Sequence, residues 1–146
     1  SGHAAALHEL LAGRKEGHWI WYVFPQIRGL GYSHQSLLYA LDGADDARAY
    51  WADPTLRERL LAVTRAVHGH LVAGATLSGL MGGRIDAQKL VSSLTLFEAA
   101  LLAAPSDAAQ ADTVRMRALA AECLAVAARQ GFARCATTLR QLTAPV

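Results

Sequence analysis

Cysteine is scarce in this chain. Its 146 residues include only Cys123 and Cys135, without a CxxC spacing, which excludes a disulfide framework and the common zinc-binding patterns. Both thiols are expected to stay reduced and metal-free, and the reducing cytoplasm is the expected location. Long apolar runs are missing as well: Arg, Glu, Asp or Gly interrupts each of them. A bilayer span takes about 20 apolar residues, so no membrane partner is expected, and no charged-then-apolar segment marks a signal peptide. Nor does one sign of charge dominate. Fourteen Lys and Arg stand against twelve Asp and Glu, a net +2, without the dense basic stripe of a nucleic-acid binder. The Gly-Lys-Ser/Thr ending of a P-loop, HExxH and GxSxG are all absent, which argues against kinases, dehydrogenases, zinc proteases and serine hydrolases of the familiar kinds. His68 and His70 are two apart, about 200° around a helix, and make a poor metal pair. No cofactor is expected.

What is present is core-forming material. Hydrophobic residues make up 53% and charged residues 18%, too apolar for a disordered segment. A chain of this length buries roughly 70% of its unfolded surface. Ser1-Gly2-His3 looks like a cleavage scar from an expression tag and is set apart from a single domain over 4–146.

Hydrophobic periodicity predicts helices almost throughout. Ala4 to Arg14 reads as a short helix ending near Gly13, and Asp45 and Asp46 as caps of another carrying Tyr50 and Trp51. Asp53-Pro54 opens a helix over 55–72, with Leu56, Leu60, Val63, Val67 and Leu71 as its buried stripe and Gly74 as its end. Leu90, Leu94, Phe97 and Leu101 repeat the pattern over 86–103, stopped by Pro105. Ser106 or Asp107 caps a third long helix over 107–130, which buries Met116, Leu119, Ala120, Cys123 and Ala127 and ends at Gly131. Phe132 to Leu142 completes the chain with an amphipathic turn or two. Lys15 to Gln26 holds the continuous aromatic run Trp19 to Phe24 and is expected to be buried and mostly helical. The expected fold is an all-α, compact single-domain helical bundle.

Two stretches carry chemistry. In Gly82-Gly83-Arg84-Ile85-Asp86, glycine amides at a helix start can receive an anion. Asp86, Lys89 and Ser93 share one helical face, with Ser92 beside it, so a phosphate or ribose fits there. The plainer reading makes Asp86 a cap, Lys89 a solvated charge and the serines back-bonded within the helix. The second stretch is His18-Trp19-x-Trp21 through Gln26, then Gly29-Leu30-Gly31-x-Ser33. Trp19 and Trp21 can wall a planar base, with His18 and Gln26 as polar handles and His18 suited to proton transfer near neutral pH. The plainer reading is an aromatic core plug.

The same residues resemble a bacterial family, domain of unknown function 1810. The likeness rests on His18-Trp19-x-Trp21, Phe24-Pro25-Gln26, Gly29-Leu30-Gly31-x-Ser33, Tyr39, Ala49-Tyr50, Pro54-x-Leu56, Arg59-Leu60 and Asp86-x-x-Lys89-Leu90-x-Ser92-Ser93-x-Thr95-Leu96-Phe97. It implies a small helical fold and no established activity. Some members are called calpastatin, a disordered polar inhibitor that this apolar, patterned chain does not resemble. Against the family pattern, Asp53 replaces a His, Arg57 a Gly, and Cys135 stands near a usual acid; the N-terminal Arg-Phe…Ala-Gln stretch is missing ahead of Ala4. More distantly, the chain is similar to the NADAR group of ADP-ribose-linked N-glycosidases. The functional expectation is accordingly a pocket for a nucleotide or ADP-ribose-like ligand, with N-glycosidic hydrolysis by an N-glycosidase-type enzyme as its chemistry. In it Trp19, Trp21, Gln26, Ser33, Gly83, Lys89, Ser92 and Ser93 bind, and Asp86 or His18 orients water near an oxocarbenium-like state. The alternative is a non-catalytic helical protein-interaction or regulatory module, with the Ala-rich 99–128 region as a self-association face.

Overall fold

A computed structural model describes residues 2–102 and 109–143. Among them the chain forms nine helices: α1 (Gly2–Leu11), α2 (Ile20–Val23), α3 (His34–Tyr39), α4 (Ala44–Ala52), α5 (Pro54–Val72), α6 (Leu77–Met81), α7 (Arg84–Leu102), α8 (Gln110–Arg129) and α9 (Ala136–Thr143). The one β-type pairing described is an isolated parallel bridge, Ile27 with Leu41. The all-α expectation stands. No described helix is long and apolar enough to cross a membrane.

The three long helices follow from their ends and stripes. Asp53 starts α5 by accepting the amides of Thr55 at 2.9 Å and Leu56 at 3.0 Å, with Pro54 in the first helical position. Gly74, at φ 102°, ends the same helix. Leu60, Val63, Val67 and Leu71 are buried and Leu56 is half-buried, as the stripe requires. On α8 all five expected stripe residues are buried, and Arg115, Glu122 and Arg129 are exposed. The expected stop at Pro105 and cap at Ser106 or Asp107 lie outside the described residues.

Helix α7 is the axle of the bundle. It packs against α2, α4, α6, α8 and α9, so it is buried on nearly every side from Ala87 to Leu101, beyond the single stripe that periodicity marks. Its polar residues inside turn back on the helix: Thr95 Oγ1 donates to Val91 O at 2.7 Å and Ser92 Oγ to Gln88 O at 3.0 Å.

Several local expectations are corrected. The 15–26 segment is buried at Trp19, Ile20, Val23 and Phe24, but only Ile20–Val23 is helical. Pro25 disfavours helical backbone at Phe24, which sits at φ −119°, ψ 82°. Gly43, not Asp45 or Asp46, occupies the cap position of α4. The two acids lie in its first turn, where the helix dipole favours them. Helices α3 and α6 have no counterpart in the sequence reading; both are too short for a repeating stripe. Gly2 and His3 belong to α1, and the His3 ring meets Tyr22 edge-on at 5.3 Å.

Candidate functional site

The chain has fourteen basic residues besides histidine, and only Lys15 and Lys89 are lysines. The fold brings both to one carboxylate. Lys15 Nζ lies 2.8 Å from Asp86 Oδ2, and Lys89 Nζ lies 3.4 Å from Asp86 Oδ1. Each ammonium also faces an indole: Lys15 sits 4.8 Å from the Trp19 ring centroid and Lys89 4.6 Å from that of Trp21. Such cation–π contacts strengthen as water is excluded. The two lysines differ in setting. The Lys15 side chain is 5% exposed and also donates to Gly17 O, whereas Lys89 is 26% exposed. Glu9 also acts on Lys15 through its charge, so two cations face two carboxylates, and Lys89 is the more open of the two cations.

The connector between α1 and α2 places Lys15. Its amide donates to Leu80 O at 2.8 Å, and its carbonyl crosses Gly82 so closely that a Cβ there would meet it at 3.0 Å. Gly82 also adopts the left-handed conformation, φ 75°, that ends α6. Glu9, on α1, ties down the rest of the connector. Its Oε1 accepts the amides of Glu16 at 2.6 Å and Gly17 at 2.8 Å, and the Trp19 indole N–H at 3.0 Å. The hydrogen bonds from Gly17, Glu16 and Trp19, in that order, hold the Glu9 carboxyl below the usual range for a glutamate. Trp21 is fixed from its far edge by Gly31, where a Cβ would come within 2.9 Å of its Cη2.

Of the residues singled out from the sequence, Asp86, Lys89, Trp19 and Trp21 converge through Lys15. Asp86 is not a cap: it lies in the first turn of α7 and holds both lysines. The amide cradle expected at Gly83 does not form, because Gly83 N already donates to Ser78 O at 2.8 Å. Ser33 caps α3, its Oγ accepting from Ser36 N at 3.1 Å. Ser92 is occupied with Gln88 O and lines a separate pocket. His18 is exposed. Gln26 and Ser93 are buried, and Gln26 Nε2 and Ser93 Oγ have no hydrogen-bond partner.

Lys15 and Glu9 were missed. The rarity of lysine was the one available signal for Lys15; Glu9 had none, because its partners are supplied by a connector of no regular pattern. Among the described residues no three His, Cys, Asp or Glu side chains gather as a metal ion needs. Two concavities flank α7, neither of them lined by the lysine cluster. One, of about 650 Å³, runs along α7 and α8 past Glu98, Leu102, Val114 and Arg117; the other, of about 350 Å³, opens beside Cys135.

Fold and cluster together define a class: a small all-α domain with a lysine–carboxylate–lysine group set on two tryptophans. The family described as "Protein of unknown function (DUF1810)" matches residues 1–116, and the chain belongs to it. The crystal structure of the conserved hypothetical protein Rv1873 from Mycobacterium tuberculosis is similar at 31% identity, with a TM-score of 0.73, over 97% of this chain and 89% of that one. No curated protein matches the chain.

Proposed function

We propose that the Lys89–Trp21 side of the cluster binds a nucleotide or ADP-ribose-like ligand. The observation that carries this reading is the sharing of Asp86 by the chain's two lysines, each laid on an indole. Lys15 is spent on structure, with Asp86, Gly17 O and the Trp19 face around its ammonium. Lys89 is the working charge: it is more exposed, and its 3.4 Å contact with Asp86 is longer than the 2.8 Å contact of Lys15. A ligand phosphate replaces that loose contact with a charge-assisted one, while a base or ribose lies against Trp21.

Hydrolysis of an N-glycosidic bond is the chemistry proposed for this site. Both oxygens of the Asp86 carboxylate face ammonium groups in the ligand-free arrangement. A phosphate that draws Lys89 away frees Oδ1 next to the ligand, where a carboxylate supports an oxocarbenium-like state and orients the attacking water. Exposed His18 is the other candidate for that water.

The test is a thermal-shift screen of NAD, ADP-ribose and purine nucleotides, followed by calorimetry and a hydrolysis assay. A ligand at 100 times its Kd adds about 2.7 kcal/mol of stability. Lys89→Ala is expected to lower affinity tenfold to a hundredfold, as loss of a charge-assisted bond worth about 1.5–3 kcal/mol implies. No shift with any of these ligands overturns the reading. The alternative, a protein-interaction module, is favoured by the groove on α7 and α8, where Leu102 is 67% and Val114 53% exposed; concentration-dependent self-association abolished by Val114→Glu is its signature.

A further inference from the structure

Two grooves flank the outward side of α8. The first, of about 650 Å³, separates it from α7 and is bordered by Leu102, Val114, Arg117 and Ala118. The second, of about 520 Å³, separates it from α5 and is bordered by Arg65, Val114, Arg115 and Ala118. Val114 and Ala118 belong to both, so the grooves share one low ridge on α8. Leu102 and Val114 are large apolar side chains left exposed here. The place is remote from the lysine cluster, because Asp86 and Lys89 stand at the start of α7 and Leu102 at its end.

The charges of the grooves are unevenly paired. Glu98, in the first, is held by Arg134 through two hydrogen bonds of 2.8 and 3.0 Å. Glu122, in the second, has His68 Nε2 at 3.2 Å. Arg65, Arg115 and Arg117 have no ion-pair partner among the described residues. Arg117 stands on one flank of the ridge, Arg65 and Arg115 on the other. With His68 neutral, Glu122 is one acid against three arginines, and positive charge is in surplus on both flanks.

We propose that this face seats an acidic amphipathic helix of a partner protein. The apolar side of that helix lies on Leu102, Val114 and Ala118, and its carboxylates reach Arg117 on one edge and Arg65 and Arg115 on the other. The small Ala118 side chain keeps the ridge low, so a second helix axis can approach α8 closely. Charges along both edges of an apolar seam are what paired helices use to choose a partner, and here the choice is for acids. A second copy of this chain is the poorer occupant: a two-fold contact sets the patch against itself and brings arginines towards arginines. An anionic bilayer calls for larger apolar side chains than alanine, and a nucleic-acid strand makes no use of Leu102 and Val114. Such a helix binds independently of any ligand at Lys89, at the other end of α7.

The whole chain is tested by fluorescence anisotropy with a labelled peptide of three heptads. It carries leucine at positions a and d and glutamate at e and g, so that its own charges keep it from self-pairing. A counterpart has lysine for every glutamate. The acidic peptide is expected to bind saturably and the basic one not, with added salt weakening the complex. Arg115→Glu and Arg117→Glu are each expected to cost about tenfold in affinity, as like charges replace opposite ones. The double variant is expected to take the lysine peptide instead, a reversal that also shows it to be folded. Val114→Glu sets a carboxylate on the ridge and is expected to remove binding. No saturable binding of the acidic peptide, equal binding of both peptides, or an affinity that ignores the arginines overturns the proposal. So does tighter binding of polyuridylate or of phosphatidylserine vesicles through the same arginines, and so does a dimer in sedimentation velocity that Val114→Glu dissolves.

Discussion

Removing Asp86 and removing Lys15 break the same ion pair, yet the two changes have unequal costs. In Asp86→Ala the Lys15 ammonium stays behind with its side chain 5% exposed and keeps Gly17 O, the Trp19 face and the charge of Glu9. Stranding a fully buried charge costs about 3–5 kcal/mol. Because Asp86 is 25% exposed, water can reach the vacated space, and about 2–3 kcal/mol is the expected loss, including the lost acid in the first turn of α7. Lys15→Met strands instead a carboxylate that is partly wet and still has Lys89 at 3.4 Å; about 1 kcal/mol is expected. Lys89→Ala removes an i,i+3 pair of the kind worth about 0.3–0.5 kcal/mol. For a chain of this length 1 kcal/mol moves Tm by about 4 °C. Calorimetry should therefore order the variants as Asp86→Ala, lowest by about 8–12 °C, then Lys15→Met, then Lys89→Ala within about 2 °C of the parent. The double variant Lys15→Met/Asp86→Leu recovers much of the loss, since replacing both members of a buried pair by apolar groups is often neutral. If Asp86→Ala and Lys89→Ala melt within about 2 °C of each other, Lys15 is not the buried anchor described above.

Three further expectations follow from neighbouring contacts. Because its three hydrogen bonds hold the Glu9 carboxyl below its ordinary 4.5, Glu9 contributes stability that is present above that value and lost as pH falls through the lower folded one; Glu9→Gln should flatten the acid side of the Tm–pH curve below about pH 4.5, and an unchanged acid limb rejects the contact. Gly31→Ala must push Trp21 aside, since a Cβ would lie 2.9 Å from Cη2, with an expected loss of about 1–3 kcal/mol and an altered tryptophan emission; parental stability and emission would show that Trp21 is not held there. Trp51 Nε1 donates to buried Thr113 Oγ1 at 2.8 Å. Thr113→Val should cost about 1–3 kcal/mol in urea unfolding by orphaning that donor, and a neutral result places the indole N–H against another acceptor.

The long helices were legible because each has its own punctuation. Asp53-Pro54, Gly74 and Gly131 act on the residues next to them, and the apolar stripes of α5 and α8 repeat often enough to show their period. Half of the candidate site was legible for the same reason: Asp86 and Lys89 are one helical turn apart, and Trp19 and Trp21 stand in one short run. What joins the halves was not. Lys15 reaches Asp86 across 71 positions of chain, from a connector whose path is set by Glu9 and by the close passage over Gly82. The Gly82-Gly83 pair misled for a related reason. Its amides point back to Ser78 O to finish α6, and α6, five residues long, gives no periodic signal. Ser93 belonged to a polar face by spacing and to the core by packing, because α7 is surrounded and not merely covered on one side. Cys135, expected to stay reduced and metal-free, stands just ahead of Ala136, the first residue of α9, a helix too short to show a repeating stripe.

The measurement that bears most directly on the proposed ligand site is a tryptophan-fluorescence titration of the parent protein and Lys89→Ala with ADP-ribose. Trp19 and Trp21 lie against the two lysines that meet at Asp86, so a phosphate drawn to Lys89 must change the Trp21 environment. The account predicts a saturable change in the parent and a tenfold to hundredfold weaker one in Lys89→Ala, from the loss of about 1.5–3 kcal/mol of charge-assisted contact, with both proteins equally folded. Saturation at the same concentration in both proteins, or no saturable change in the parent, contradicts it.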